Sequence, residues 1–191
     1  MNTIVKSSNG ITTVSLDSRL LAEGKVYIHG PITEESACEF DKQIDYLKTE
    51  YPGRPITIII SSRGGEVDAG FEIYDIIKSL EREIEVNIIC KGEAYSMAAI
   101  ILAGGKKGHR FILPHGKVMI HEPLIEGGVS GNATTIKRTT EQLMEERRRI
   151  IEALAKDTEK TKKEIEAAIS YDHFMNASEA IAFGIVDSIM T

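Results

Sequence analysis

Cysteine is scarce. Of 191 residues only Cys38 and Cys90 carry a thiol, and they fall in separate segments. That excludes a disulfide framework and a zinc-ligand spacing, and it suits a reducing compartment. Positive charge is not in excess: 23 Lys and Arg stand against 29 Asp and Glu, a net charge of -6. A nucleic acid or an anionic membrane surface is therefore a poor partner on electrostatic grounds. No apolar run approaches the roughly 20 residues that cross a bilayer, and the opening MNTIVKSSNG has no apolar signal-peptide stretch. A cytoplasmic protein without a membrane partner is expected. Internal repeats, low-complexity runs and linkers are absent, which predicts one domain over 1–191. The glycine pair in LAGGKKGHR lacks the rest of a phosphate loop and reads as a helix C-cap. No metal site and no cofactor are expected.

What the chain does have is the balance of a folded domain, 42% hydrophobic and 27% charged residues. Residues 1–18 are polar and β-prone, with Asn9-Gly10 as a hairpin-turn pair. KVYIHG (25–30) reads as a strand. Ala37, Phe40, Ile44 and Leu47 then recur at helical spacing behind Thr33 as N-cap. PITIIIS (55–61) is a continuous β-branched run, the mark of a strand buried on both faces. After the turn SSRGGEV, Asp68 is expected to cap a helix. EVNIIC (85–90) is the next strand, and an apolar helix opens at Ser96. HRFILP and KVMIHEP are two short strands. This alternation argues for an α/β fold with a largely parallel sheet. Residues 132–158 form a long charged helix with a narrow stripe of Ile136, Leu143, Met144, Ile150, Ile151 and Leu154. It fits an amphipathic surface helix and a helix that projects onto a partner chain equally well. Thr161 with Glu164 forms a capping box, Asn176 caps a further helix that stops at Gly184, and IVDSI is a last strand.

Ser96 raises the chemical question. It stands between small residues where a strand gives way to a helix, as a nucleophile elbow does, although the flanks read Ala-x-Ser-x-Ala. A serine there is most often a plain N-cap. As a nucleophile it needs a base, and histidine, with a pKa of about 6.5, suits the task near neutrality. His29, His109, His115, His121 and His173 are the candidates; His121 ends an apolar strand, where α/β sites sit. An acid should orient the histidine, and Asp172 and Asp187 both qualify by spacing. Gly64-Gly65 serves either as a simple βα turn or as a source of N–H donors facing an oxyanion.

Several segments together resemble the Clp protease proteolytic subunit family. They are SSRGGEVDAGFEIYDII, GEAYSMAAIILAGGKKGHRFILP and VMIHEPL, with LDSRLL before them and YDHFMNASEAIAFGIVDSI after. The resemblance covers nearly the whole chain in order. It implies a crotonase-like α/β core with a projecting handle helix, here 125–158, and an axial arm at 1–18. It also implies a serine endopeptidase in which Ser96 is the nucleophile, His121 the base and Asp172 the orienting acid. Gly65 and Met97 match the positions whose N–H groups form the oxyanion hole. Two stacked heptameric rings of one subunit are implied, joined through the handles, where charge reversal at Arg147–Arg149 is expected to weaken stacking. The resemblance also implies that unfolded polypeptide is received from an AAA+ ATPase of the Clp type, with ATP used only by that partner.

The chain departs from the family's pattern in places. Arg63 replaces a proline before the glycine pair, Tyr95 a small residue before the serine, and Glu122 a glutamine after the histidine, where a carboxylate could raise the pKa of His121. Thr57, Ile59 and Ser79 stand where the ATPase-docking pocket is aromatic, although Phe111 is kept. The expectation is a divergent member that binds a non-standard ATPase or pairs with a second subunit of the same type. A catalytically silent or regulatory ring subunit is the alternative, and a crotonase-type acyl-CoA enzyme shares the fold.

Overall fold

A computed structural model of the chain describes residues 1–7, 10–125 and 127–190. Asn9 of the expected Asn9-Gly10 turn lies outside the described residues. Gly10 is itself a strand residue: β1 (Asn2–Ser7) and β2 (Gly10–Ser15) pair antiparallel with Ser7 opposite Gly10. Helix α1 (Leu16–Ala22) begins inside the stretch 1–18.

The central sheet is mostly parallel, as the alternating pattern predicts. Its main path runs β3 (Lys25–His29), β4 (Ile56–Ser62), β5 (Val86–Tyr95), β6 (Arg110–Ile112) and β9 (Ser188–Ile189). In β4 every residue but Thr57 and Ser61 is buried, which is why its apolar run shows no alternation. Helix α2 (Glu34–Glu50) buries Ala37, Phe40, Ile44 and Leu47. The Ser36 N–H donates to Thr33 Oγ1 at 3.2 Å and the Thr33 N–H donates back to Ser36 Oγ at 2.9 Å, so the cap closes in both directions. Helix α3 (Val67–Leu80) packs between α2 and α4 (Met97–Ala103). All of α4 is buried, so it is a core helix with no polar face.

The sheet divides along β5. Its first half, Ile88–Cys90, pairs with β6; its second half, Glu93–Tyr95, pairs with β7 (Lys117–Ile120). The break falls where Ile60 faces Cys90 but Ser62 faces Ala94, so β5 holds two extra residues there. β7 continues into an antiparallel pair with β8 (His173–Asn176).

Three local expectations change, and the Gly104 C-cap holds in a different conformation. The third strand extends five residues past Cys90, because Gly92 lets it pass Ser61 where a Cβ would sit 2.8 Å from the hydroxyl oxygen. Asp68 caps nothing: Glu66 holds the N-cap position, and the Asp68 carboxylate accepts from Arg149 at 2.6 Å. Gly104 is the C-cap of α4 but in ordinary right-handed conformation; glycine is needed there because a Cβ would meet the Tyr74 ring at 2.5 Å. The last strand shrinks to Ser188–Ile189, as Ile185 and Val186 are core residues and Asp187 is an ion-pair partner.

Helix α5 (Ala133–Thr158) starts at Asn132, whose side chain accepts from the Thr135 N–H. Its buried residues all lie in the last third, from Ile150 on; Ile136 and Met144 remain exposed. Arg147, Arg148 and Arg149 are engaged within the chain. Arg147 pairs with Glu122 and Glu166, Arg148 with Glu145 and Glu152, and Arg149 with Asp68 while lying over the Phe71 ring. Helices α6 (Lys162–Ile169) and α7 (Ala177–Phe183) both open on capping boxes, and Gly184 ends α7 at φ +97°. Among the described residues no helix is long and apolar enough to cross a membrane.

Candidate active site

Strand register assembles the site. Tyr95 of β5 lies opposite Met119 of β7, and the Ser96 N–H donates to the Met119 carbonyl at 2.8 Å. His121 follows two residues later. On the far side of β7, Ile120 lies opposite His173, so the next pair beyond the ladder is His121 and Asp172. Three residues far apart in sequence thus meet at one corner.

The backbone at Ser96 is unusual. Its φ and ψ are 54° and -126°, and Ser96 and Glu159 are the only non-glycine residues described with positive φ. Such a conformation costs on the order of 1–3 kcal/mol and survives only where its surroundings fix it. Here the bond to Met119 fixes one side. Gly64 fixes the other, since a Cβ on it would lie 2.7 Å from both Ser96 Cβ and the Tyr95 carbonyl oxygen. The hydroxyl does not cap α4. It lies 2.8 Å from His121 Nε2. The N-cap reading of this serine is therefore replaced by a serine–imidazole pair.

The second imidazole contact is looser. His121 Nδ1 is 3.6 Å from Asp172 Oδ1, beyond hydrogen-bond length. The imidazole is 17% exposed and the carboxylate 65%. Glu122 turns its carboxylate to Arg147 at 3.0 Å instead of to His121, and its N–H donates to the Ile169 carbonyl. Asp187 lies at a different place. Its carboxylate receives the guanidinium of Arg110, a side chain only 2% exposed, together with the N–H groups of Gly108 and Arg110. Burial acts to raise the Asp187 carboxyl, but these donors outweigh it and hold it below the ordinary range.

Gly64 packs against Ser96, and Gly65 follows it against Ile32. The bridge to Ile32 uses the Gly64 carbonyl and the Glu66 N–H, so the Gly65 N–H is not spent on it. Met97 is the first residue of α4, where an N–H has no helical acceptor. Ser62, which the sequence analysis passed over, holds this turn. It is buried, donates to the Gly30 carbonyl at 2.5 Å and accepts from the Gly64 N–H at 3.1 Å. A serine closing an apolar strand just before two glycines is the signal that could have found it.

Of the other histidines, His109 contacts Asn87, and His173 stacks on Tyr171 and meets Phe183 edge-on. Among the described residues, only His121 hydrogen-bonds the Ser96 hydroxyl. Arg63 pairs with Glu93 at 2.9 Å, and Tyr95 meets Phe174 edge-on. No cluster of three or more His, Cys, Asp or Glu residues that could hold a metal ion occurs among the described residues.

Residues 8–191 match the family model of Clp protease. The chain is 37% identical over 175 residues, 92% of its length and 90% of the relative's, to the ATP-dependent Clp protease proteolytic subunit 1 of Chlamydia muridarum (strain MoPn / Nigg).

Proposed function

The chain belongs to the Clp protease family of serine peptidases, and we propose that it is an endopeptidase subunit that cleaves unfolded polypeptides through Ser96, His121 and Asp172. One observation carries this reading: a serine in a strained turn whose hydroxyl caps no helix and lies 2.8 Å from an imidazole nitrogen.

With its proton on Nδ1, His121 accepts the Ser96 proton at Nε2 as Oγ attacks the scissile carbonyl carbon. The carbonyl oxygen takes the negative charge and faces the N–H groups of Gly65 and Met97. A single donor of this kind is worth about 2.7–4 kcal/mol in related chemistry. The C–N bond then breaks, and His121 returns the proton to the leaving amine. Water, deprotonated by the same imidazole, releases the acyl group and restores Ser96. Asp172 stabilises the imidazolium and selects its tautomer.

The particle proposed is two stacked heptameric rings of this subunit, fed by a Clp-type AAA+ ATPase that alone uses ATP. Residues 125–158 are the handle, and the exposed Ile136 and Met144 support a partner surface on its outer half. Residues 1–18 are the axial arm, in which β1 and β2 pair with each other. At the ATPase-docking face, Tyr27, Ile59, Ile89, Phe111 and Ser188 are successive neighbours across the sheet, and only Tyr27 and Phe111 are aromatic. That supports an altered fit to the partner's loop. Tight recovery of an ordinary Clp ATPase alone in a pull-down would count against it. A cytoplasmic location accords with the two unpaired thiols.

The gap between His121 and Asp172 favours one alternative, a ring subunit that is silent until assembly or a partner closes it. Fluorophosphonate labelling of the sized particle, read by intact mass, separates the two. An adduct on wild type that is absent from Ser96→Ala is expected. A ring-sized particle without adduct would replace the peptidase reading with the silent one.

A further inference from the structure

We propose that Tyr95, Met119 and Phe174 form the subsite for the first residue on the leaving-group side of the scissile bond, and that they select an apolar side chain there. The inference rests on the serine peptidase reading above.

Side chains on a strand alternate between faces, so residues paired in register share a face. Val118 and Ile120 of β7 are buried, as are Met175 of β8 and Ala94 of β5. Their neighbours Met119, Phe174 and Tyr95 therefore point the other way, and the register places them in one cross-strand row. Tyr95 and Phe174 close over that row, ring centroids 5.5 Å apart and nearly perpendicular. Phe174 is nonetheless 57% exposed, a large aromatic held on an open face. Just past the end of β7 and just before the start of β8, two residues from Met119 and from Phe174, stand His121 and Asp172. The step between such rows is about 7 Å. In the opposite direction the next row is Glu93, Lys117 and Asn176, wholly polar, with Glu93 tied to Arg63.

The chemistry decides which half of a peptide meets this row. His121 must deliver its proton to the leaving nitrogen, so the amine half lies on the imidazole side of Ser96 Oγ. The acyl half lies toward the Gly65 and Met97 N–H groups. The apolar row flanks the imidazole, and the first residue of the amine product therefore falls on it. Burial, and then the Glu93 carboxylate, push the Tyr95 phenol up, which keeps that wall neutral. The polar row beyond would face the second residue. Tyr95, a departure from the family's small residue, thereby acquires a role.

The test uses internally quenched peptides that differ only in the residue after the scissile bond, and an aminocoumarin amide that has no side chain there. Wild-type particle should prefer Phe or Leu over Asp at that position by at least about tenfold in kcat/KM. In Tyr95→Ala and in Phe174→Ala the preference should fall about tenfold, beyond any change on the aminocoumarin amide, and Tyr95→Phe should retain it. An unchanged ratio in both alanine variants overturns the proposal, as does a loss of preference confined to the residue before the bond. If Phe174→Ala disrupts the particle while surviving particles keep the ratio, Phe174 is a subunit contact and the proposal falls. Fluorophosphonate labelling is run beside each assay. No adduct on wild type sinks the peptidase reading and this subsite with it, whereas an adduct with an unchanged ratio sinks the subsite alone.

Discussion

Asp172 and Asp187 are equal candidates by spacing, and replacing each by Asn should separate them. Arg110 is 2% exposed, and its guanidinium donates to Asp187 through Nε at 3.0 Å and Nη2 at 2.6 Å. Asp187→Asn leaves that cation buried with only the Ala103 and Asp157 carbonyls as full partners. Breaking a buried pair in this way costs about 3–5 kcal/mol. For a chain of this size that is a fall in Tm of roughly 6–20 °C at matched protein concentration. The folded Asp187 carboxyl titrates below its ordinary value. Its contribution is therefore complete above about pH 4 and is lost as pH falls through the lower folded value. Asp172→Asn should behave oppositely. At 3.6 Å an imidazolium–carboxylate attraction is ~1.2 kcal/mol in water and ~4.6 kcal/mol at an effective dielectric of 20. A carboxylate 65% exposed sits near the lower figure, so about 1–2 kcal/mol, or roughly 5–30-fold in kcat, should be lost with Tm unchanged. Scanning calorimetry and peptide hydrolysis on both variants decide it. A large Tm loss in Asp172→Asn, or an inactive but fully stable Asp187→Asn, would refute the assignment of roles.

Gly64→Ala should cut fluorophosphonate labelling of Ser96 about a hundredfold, because a Cβ at φ +89° meets Ser96 Cβ and the Tyr95 carbonyl at 2.7 Å and displaces the Ser96 side chain. Labelling at the wild-type rate would show that the turn has room to spare. Cys38 is exposed, whereas burial pushes the Cys90 thiol up to about 11, so a thiol reagent should modify one cysteine in the native protein and the second only on unfolding. Fast native modification of both, counted by mass, would contradict that burial. Ile136→Asp with Met144→Asp should lower the particle mass in sedimentation while each subunit stays folded, since both side chains are exposed on the half of α5 that does not pack on the core. An unchanged mass would remove this stripe from any subunit contact.

The sequence made periodic elements plain and non-local geometry obscure. The α2 stripe, the Thr161–Glu164 capping box, the caps Thr33 and Asn176 and the unbroken β4 run are legible because each is written within one helix, one turn or one strand. The Asp68 cap failed because a carboxylate in a first turn has two uses. Here a distant guanidinium, Arg149, claimed it. The reach of β5 is hidden for a similar reason. Lys91 to Ala94 are polar or small, and Glu93–Tyr95 are strand because β7 pairs with them. Ser96 shows the limit most clearly. Locally it reads as a helix cap; its positive φ, imposed by Met119 and Gly64, turns the hydroxyl from the helix toward His121.

The three arginines of α5 show how placement alters the meaning of a charge run. On sequence, Arg147–Arg149 reads as a strip offered to a partner. In the fold, Arg147 clasps Glu122, whose own N–H is tied to the Ile169 carbonyl, and Arg149 clasps Asp68 at the start of α3. These ties fix the inner half of α5 against the segments that carry His121 and the turn after Gly65. Reversing these charges would first loosen the chain's own joint beside its imidazole and only then act on any neighbour. Exposed pairs of this kind are worth little singly, typically below about 1 kcal/mol. Their role here is positional: the residue after His121 is held by its backbone to α6 and by its side chain to α5. That double hold fixes the backbone beside His121, while the Asp172 carboxylate lies 3.6 Å from His121 Nδ1.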